Sequence, residues 1–92
     1  MIRNFRHKGL EKYFTAGSKA GIAVAHEKRL RLILFRLNGA KEPKDMNLPG
    51  LDLHRLHGIM EGFWALSVTG NWRIIFRFDG NDVRDVNYLD YH

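Results

Sequence analysis

Asp90, Tyr91 and His92 close the sequence with a carboxylate, a phenol and an imidazole in a row. Chain ends usually fray and carry little structure, so three acid–base groups there invite a chemical reading. Imidazole, with an unperturbed pKa of about 6.5, both takes and gives a proton near neutrality. Together with His54, His57 and Arg73, these residues could cleave RNA through its own 2′-hydroxyl. That reaction needs a base for the 2′-OH proton, an acid for the departing 5′-oxygen and fixed positive charge on the phosphoryl oxygens. It needs neither a metal nor a protein nucleophile. An arginine fork matches phosphate geometry, and a tyrosine can stack on an unpaired base or bond to the phosphate. Arg55, His57, Asn71 and Arg77 are further candidates for RNA contact.

Each candidate also has a plainer explanation. Histidine is commonly a surface or core filler, and Arg73 and Arg77 can be ordinary solvent-facing sheet residues. Trp64 and Trp72 read as core because they sit in apolar alternation, and His7 and His26 receive no role. His54 and His57, three apart, could join His92 in a zinc site. The Leu53–Gly58 segment is too short for a stable helix to hold that pair in register, so no metal or cofactor is expected. Ser18 and Ser67 lie in no nucleophile-elbow context. No phosphate-loop pattern occurs, and no helix-turn-helix pair with a recognition helix is seen.

The elements that must position these residues follow from periodicity. Ile2 to Phe5 alternates as a short first strand. Leu10, Tyr13 and Phe14 fall at i, i+3, i+4 before Gly17, which predicts a short helix. A second helix is predicted from about Ile22 to Asn38, with Gly39 just past its end. Its main apolar face is Leu30, Ile33, Leu34 and Leu37. Leu32 and Phe35 widen that stripe, which favours burial between sheet and first helix over contact with a partner protein.

From Leu53 the period becomes two. Strands are predicted at Phe63–Val68, Trp72–Phe78 and Val83 to about Tyr88, joined by turns at Thr69-Gly70-Asn71 and Asp79-Gly80-Asn81-Asp82. Trp72, Ile74, Phe76 and Phe78 would face the core, leaving Arg73, Ile75 and Arg77 on the exposed side. The last hairpin would return Asp90, Tyr91 and His92 toward Arg73. The result is one α+β domain spanning residues 1–92, with two N-terminal helices on one face of a small, mainly antiparallel sheet.

Composition sets the outer bounds. The sequence has 92 residues, 15 Lys+Arg, 10 Asp+Glu and a formal net charge of +5. A chain of this length buries roughly 60–65% of its unfolded surface. The charge is uneven: residues 1–46 hold eleven basic and four acidic side chains, and residues 47–92 hold four and six. Such a basic half suits a polyanionic partner, RNA or DNA, or else is a solvated helix face. The absence of cysteine excludes disulfides and thiolate metal sites. With no apolar run of about 18 residues and no signal-like segment, a soluble cytoplasmic protein without membrane contact is expected.

Five segments carry a family resemblance. They are Ile2-Arg3-Asn4-Phe5-Arg6-His7-Lys8-Gly9-Leu10, Leu53-His54-Arg55-Leu56-His57-Gly58, Glu61-Gly62-Phe63-Trp64, Asn71-Trp72-Arg73-Ile74-Ile75-Phe76 and Asn87-Tyr88-Leu89-Asp90-Tyr91-His92. In order and spacing, nearly end to end, the chain resembles the HigB-type toxins of bacterial toxin–antitoxin modules, within the RelE-like superfamily. The resemblance implies a small α+β endoribonuclease that cuts messenger RNA on a translating ribosome. It also implies a cognate helix-turn-helix antitoxin of the HigA type, through which operator DNA is reached only indirectly. By position, His54, Asp90, Tyr91 and His92 match the family's catalytic cluster, with Arg73 as the phosphate-facing cation. His92 and Asp90 would move protons, His54 would assist and Tyr91 would orient the substrate. Relatives commonly carry lysine at position 57 and often a basic residue at 60 and an arginine at 69. Here these are His57, Met60 and Thr69, so fixed positive charge is reduced and a histidine is only partly protonated at neutral pH. The competing reading is a basic domain of the same fold that binds RNA or a regulator without cutting.

Overall fold

Local signals bound the first helix, and tertiary contacts help to set the second, in the computed structural model, which describes residues 1–91. Helix α1, Lys8–Ala16, is opened by His7, whose Nδ1 accepts the Leu10 N–H at 3.0 Å. Gly17 closes it at φ 74°, its N–H and that of Ser18 returning to the Tyr13 and Lys12 carbonyls. Glycine suits that position because no Cβ opposes the left-handed backbone. Helix α2, Glu27–Gly39, starts later than the expected Ile22, after a 3-10 turn at Val24–His26. Ala23 is extended there, and the His26 ring is tied to the Tyr88 hydroxyl at 2.5 Å. These contacts fix the segment to the sheet before the helix begins. Gly39 is the last helical residue rather than the one beyond it.

The strands are β1 His54–Arg55, β2 Phe63–Thr69, β3 Trp72–Asp79 and β4 Asp82–Asp90, hydrogen-bonded in that order with every pair antiparallel. Leu66, Val68, Ile74, Phe76, Val83, Val86 and Tyr88 pack against Leu10 of α1 and Leu30, Ile33, Leu34 and Leu37 of α2. Two helices on one face of a small antiparallel sheet make the α+β arrangement that periodicity predicted. One approach is backbone on backbone: a Cβ on Gly21 would stand 2.5 Å from the Gly9 Cα. Only glycine on both sides lets the start of α1 meet the loop before α2.

Three further expectations change. Ile2–Phe5 is not a strand but makes two isolated parallel bridges, Ile2 to Val83 and Phe5 to Val86. Between them a bulge in the β3–β4 pairing places Asp85 at φ 56°. Asn4 fills the gap, donating to Asp85 Oδ1 at 2.8 Å and accepting the Asp85 N–H at 3.0 Å. Leu32 and Phe35 are not buried within the domain, being 45% and 75% exposed. Helix α1, nine residues long, extends only about 13 Å and leaves the outer side of α2 uncovered.

The Ile75 side of β3 is not open either. Ile75 is 1% exposed, in a second small core with Leu56 and Ala65, flanked by Met60, Phe63 and Leu89. The chain between β1 and β2 folds back over that face through the turn at Gly58–Met60.

Candidate functional site

Strand register shows which candidates share a face. Directly opposed residues of antiparallel strands point the same way, and successive residues alternate. One row across the sheet is His54, Ala65, Ile75, Asn87, and the next row on that face is Ser67, Arg73, Leu89. His54 and Arg73 therefore lie on one face, two strands and one row apart, about 12 Å between Cα atoms along the pleated surface. Both side chains are long enough to reach toward a group held between them. The floor there is the small apolar core of Leu56, Ala65 and Ile75.

His54 is exposed on the edge strand, and its ring is held from below. Its Nδ1 lies 2.9 Å from the Asp52 carbonyl oxygen. A carbonyl only accepts, so Nδ1 carries the proton and the neutral ring turns Nε2 outward as an acceptor. The Asp52 carbonyl reaches that position because Asp52 adopts φ 49°, a left-handed conformation that aspartate tolerates better than most residues. The loop is pinned at the two residues just before it. Arg29 of α2 donates to the Gly50 carbonyl, and the Ser67 N–H donates to that of Leu51 at 2.7 Å.

Arg73 is half-buried and preorganised. One terminal nitrogen donates to the carbonyls of Gly70 at 2.7 Å and Trp72 at 3.0 Å. Nε and the second terminal nitrogen have no hydrogen-bond partner among the described residues and form the fork that suits a phosphate. The tail comes to this end of the sheet, as the hairpin reading predicted. Strand β4 continues to Asp90, Trp72 pairs with Asp90, Arg73 with Leu89, and the Tyr91 N–H donates to the Asn71 carbonyl at 2.7 Å.

Alternation refines that placement. Asp90 shares the face of its partner Trp72, whereas the Leu89 position belongs to the Arg73 face, to which Tyr91, 48% exposed, returns. His92 lies outside the described residues, and with it the three-histidine zinc set. The Trp72 side is fixed by an aromatic cluster: its ring stands 4.7 Å from that of Tyr88 and 5.4 Å from that of His26. Burial pushes the Tyr88 hydroxyl up from its ordinary pKa, so it serves as a hydrogen-bonding group between His26 and the Ala23 N–H. His26, assigned nothing from sequence, thus secures the strand ends that carry the tail.

Other candidates are placed elsewhere. Arg55 lies over the Trp64 ring at 5.4 Å, on the face opposite His54. Arg77 is half-buried on the Arg73 face, but its Nε donates to Asp85 Oδ2 at 2.7 Å. The Asn4 hydrogen bond and then Arg77 hold the Asp85 carboxyl below the usual carboxylate range. His57 is exposed just before the Gly58–Met60 turn, and Asn71 is exposed in the β2–β3 turn.

With this geometry in place, the family profile described as "RelE-like toxin of type II toxin-antitoxin system HigB" matches residues 3–92. The chain belongs to the HigB-like toxins. It is 38% identical over 92 residues, the full length of both chains, to the protein named Endoribonuclease HigB from Proteus vulgaris. In this toxin the basic excess read from sequence falls largely on the helical layer, including Lys28, Arg31 and Arg36 of α2, and not on the His54–Arg73 face. Among the described residues no three His, Cys, Asp or Glu side chains group as metal ligands, and no helix is long and apolar enough to cross a membrane. Sequence reading missed Asp52 and Gly70 because they act through backbone carbonyls. The one available signal was an aspartate, tolerant of left-handed backbone, two residues before His54.

Proposed function

We propose that this toxin is an endoribonuclease that cuts messenger RNA on the ribosome by metal-independent transfer through the 2′-hydroxyl. The 2′-oxygen attacks the adjacent phosphorus and the 5′-oxygen leaves, producing a 2′,3′-cyclic phosphate and a 5′-hydroxyl. Arg73 holds the phosphoryl oxygens as negative charge builds on them. His54, with Nε2 turned outward, exchanges a proton on one side of that phosphate. Tyr91, which returns to the Arg73 face, contacts a base, His92 supplies the second proton transfer, Asp90 positions that tail from the Trp72 face, and His57 and Asn71 flank the RNA. The observation that carries this reading is Arg73 anchored on the Gly70 and Trp72 carbonyls while the β4 end is pinned to the same turn through Tyr91. The 38% identical relative named as an endoribonuclease supports it.

The test is primer extension on a defined message with and without ribosomes, comparing wild type with His54→Ala, Arg73→Ala and a chain lacking residues 90–92. Cleavage by wild type alone, with cyclic-phosphate ends and undiminished in EDTA, is the expected result. Binding of RNA without cleavage under every condition would leave the non-catalytic reading. As a type II toxin the protein has a cognate antitoxin; a helix-turn-helix antitoxin that also binds operator DNA is part of the proposal.

A further inference from the structure

Lys28, Arg31, Leu32, Phe35 and Arg36 are all exposed on α2 at i, i+3, i+4, i+7 and i+8. That spacing makes one continuous stripe on the side turned away from the sheet. Single exposed apolar residues are ordinary, but here they adjoin clefts. A cavity of about 250 Å³ between α1 and α2 is lined by Tyr13, Phe14, Leu34 and Phe35. A second, of about 370 Å³, runs along Lys28, Arg31, Leu32 and Phe35. Phe35 is the ridge between them.

Cations predominate around this apolar centre: Lys28, Arg31 and Arg36 stand against Glu27, with Asp45 beside Arg36 in a cleft further along. Arg31 is paired with Glu27 at 2.7 Å, whose carboxylate also accepts from the Tyr13 hydroxyl. Lys28 and Arg36 have no ion pair among the described residues. A face with an aromatic ridge, apolar clefts on its flanks and unpaired cations at its edge fits an amphipathic segment carrying carboxylates. A second copy of the chain does not fit, because an isologous contact would set Lys28 and Arg36 against their own kind. RNA would use the cations, but contacts to a phosphate backbone have no use for Leu32 or the apolar clefts.

We propose that the outer face of α2, with the α1–α2 cleft, docks an acidic amphipathic segment of the cognate antitoxin. Its apolar side chains would sit on either side of Phe35 and its carboxylates would meet Lys28 and Arg36. The proposal rests on the antitoxin that family membership implies and not on the cleavage mechanism.

The test is binding of the full-length chain to its purified antitoxin, by calorimetry and by association kinetics at low and physiological salt. Phe35→Ala is expected to weaken the complex by about 30-fold or more, as for a central anchor. Lys28→Glu with Arg36→Glu is expected to slow association and to flatten its salt dependence. All are exposed positions, so melting curves should match wild type; if Phe35→Ala melts early, the charge pair carries the test. Unchanged affinity in both variants would overturn the proposal. So would lost ribosome binding with antitoxin affinity intact, or a wild-type dimer in sedimentation that Phe35→Ala dissolves. The readout is binding, so a wild-type chain that fails to cut RNA would defeat the nuclease reading and leave this result standing.

Discussion

Arg73→Ala should abolish most RNA cleavage while leaving the fold intact, and Arg73→Lys should not restore it. One guanidinium nitrogen is committed to the Gly70 and Trp72 carbonyls at 2.7 and 3.0 Å, and Nε and the other nitrogen, unbonded among the described residues, form the fork. Two charge-assisted hydrogen bonds to a transition-state phosphoryl group, at about 1.5–2 kcal/mol each, give about 3–4 kcal/mol. That corresponds to a loss of roughly 10²–10³ in rate. Lysine keeps the charge but has a single nitrogen, which cannot hold the turn and grip two oxygens together, so about a tenfold loss or more should persist. The two carbonyls it releases are near solvent, so stability should fall by no more than about 1 kcal/mol. The assay is single-turnover cleavage of a ribosome-bound message, read by primer extension, beside a thermal melt of each variant. Arg73→Ala cutting within about threefold of wild type would refute the clamp. Activity lost together with a large drop in melting temperature would assign Arg73 a structural role instead.

Three other outcomes follow from the same geometry. In long-range 15N–1H spectra of the neutral ring, His54 should carry its proton on Nδ1, bonded to the Asp52 carbonyl; a dominant Nε2–H tautomer would contradict that arrangement. Gly21→Ala places a methyl group against the Gly9 Cα and should cost about 1–3 kcal/mol, lowering the melting temperature by about 4–8 °C for each kcal/mol with the exposed Gly39→Ala as a comparison. Asp85 has its folded pKa held down by Asn4 and Arg77, so its stabilisation is present above the unfolded value of about 3.9 and is lost as pH falls through the folded value. Asp85→Asn, which tolerates the same φ of 56°, should therefore flatten the acid side of the stability–pH curve; an unchanged acid limb in urea titrations would count against that linkage.

Much of the architecture was legible because short-range rules governed it. The apolar period of α2, the glycine after α1 and the turn signals around Gly70 and Gly80 each express a local preference that packing did not override. Where packing decided, the reading missed. The start of α2 was delayed by the His26–Tyr88 contact, Ile2–Phe5 was drawn to the β4 bulge, and the Ile75 face was closed by chain returning from Leu56 to Phe63. Partners remote in sequence made each of these contacts.

For the candidate site, the sequence by itself determined the inventory: an imidazole at 54, a guanidinium at 73, and acid–base groups at 90 and 91 on a strand whose hairpin must return toward Arg73. Those facts depend only on residue type, alternation and turn position. Tertiary structure decided the directions. It set His54 and Arg73 on one face and Asp90 on the other, fixed the His54 tautomer through a backbone carbonyl, and removed Arg55 and Arg77 to Trp64 and Asp85. The physical reason is that side-chain direction follows strand register, and register is settled by pairing and bulges between segments far apart in the chain.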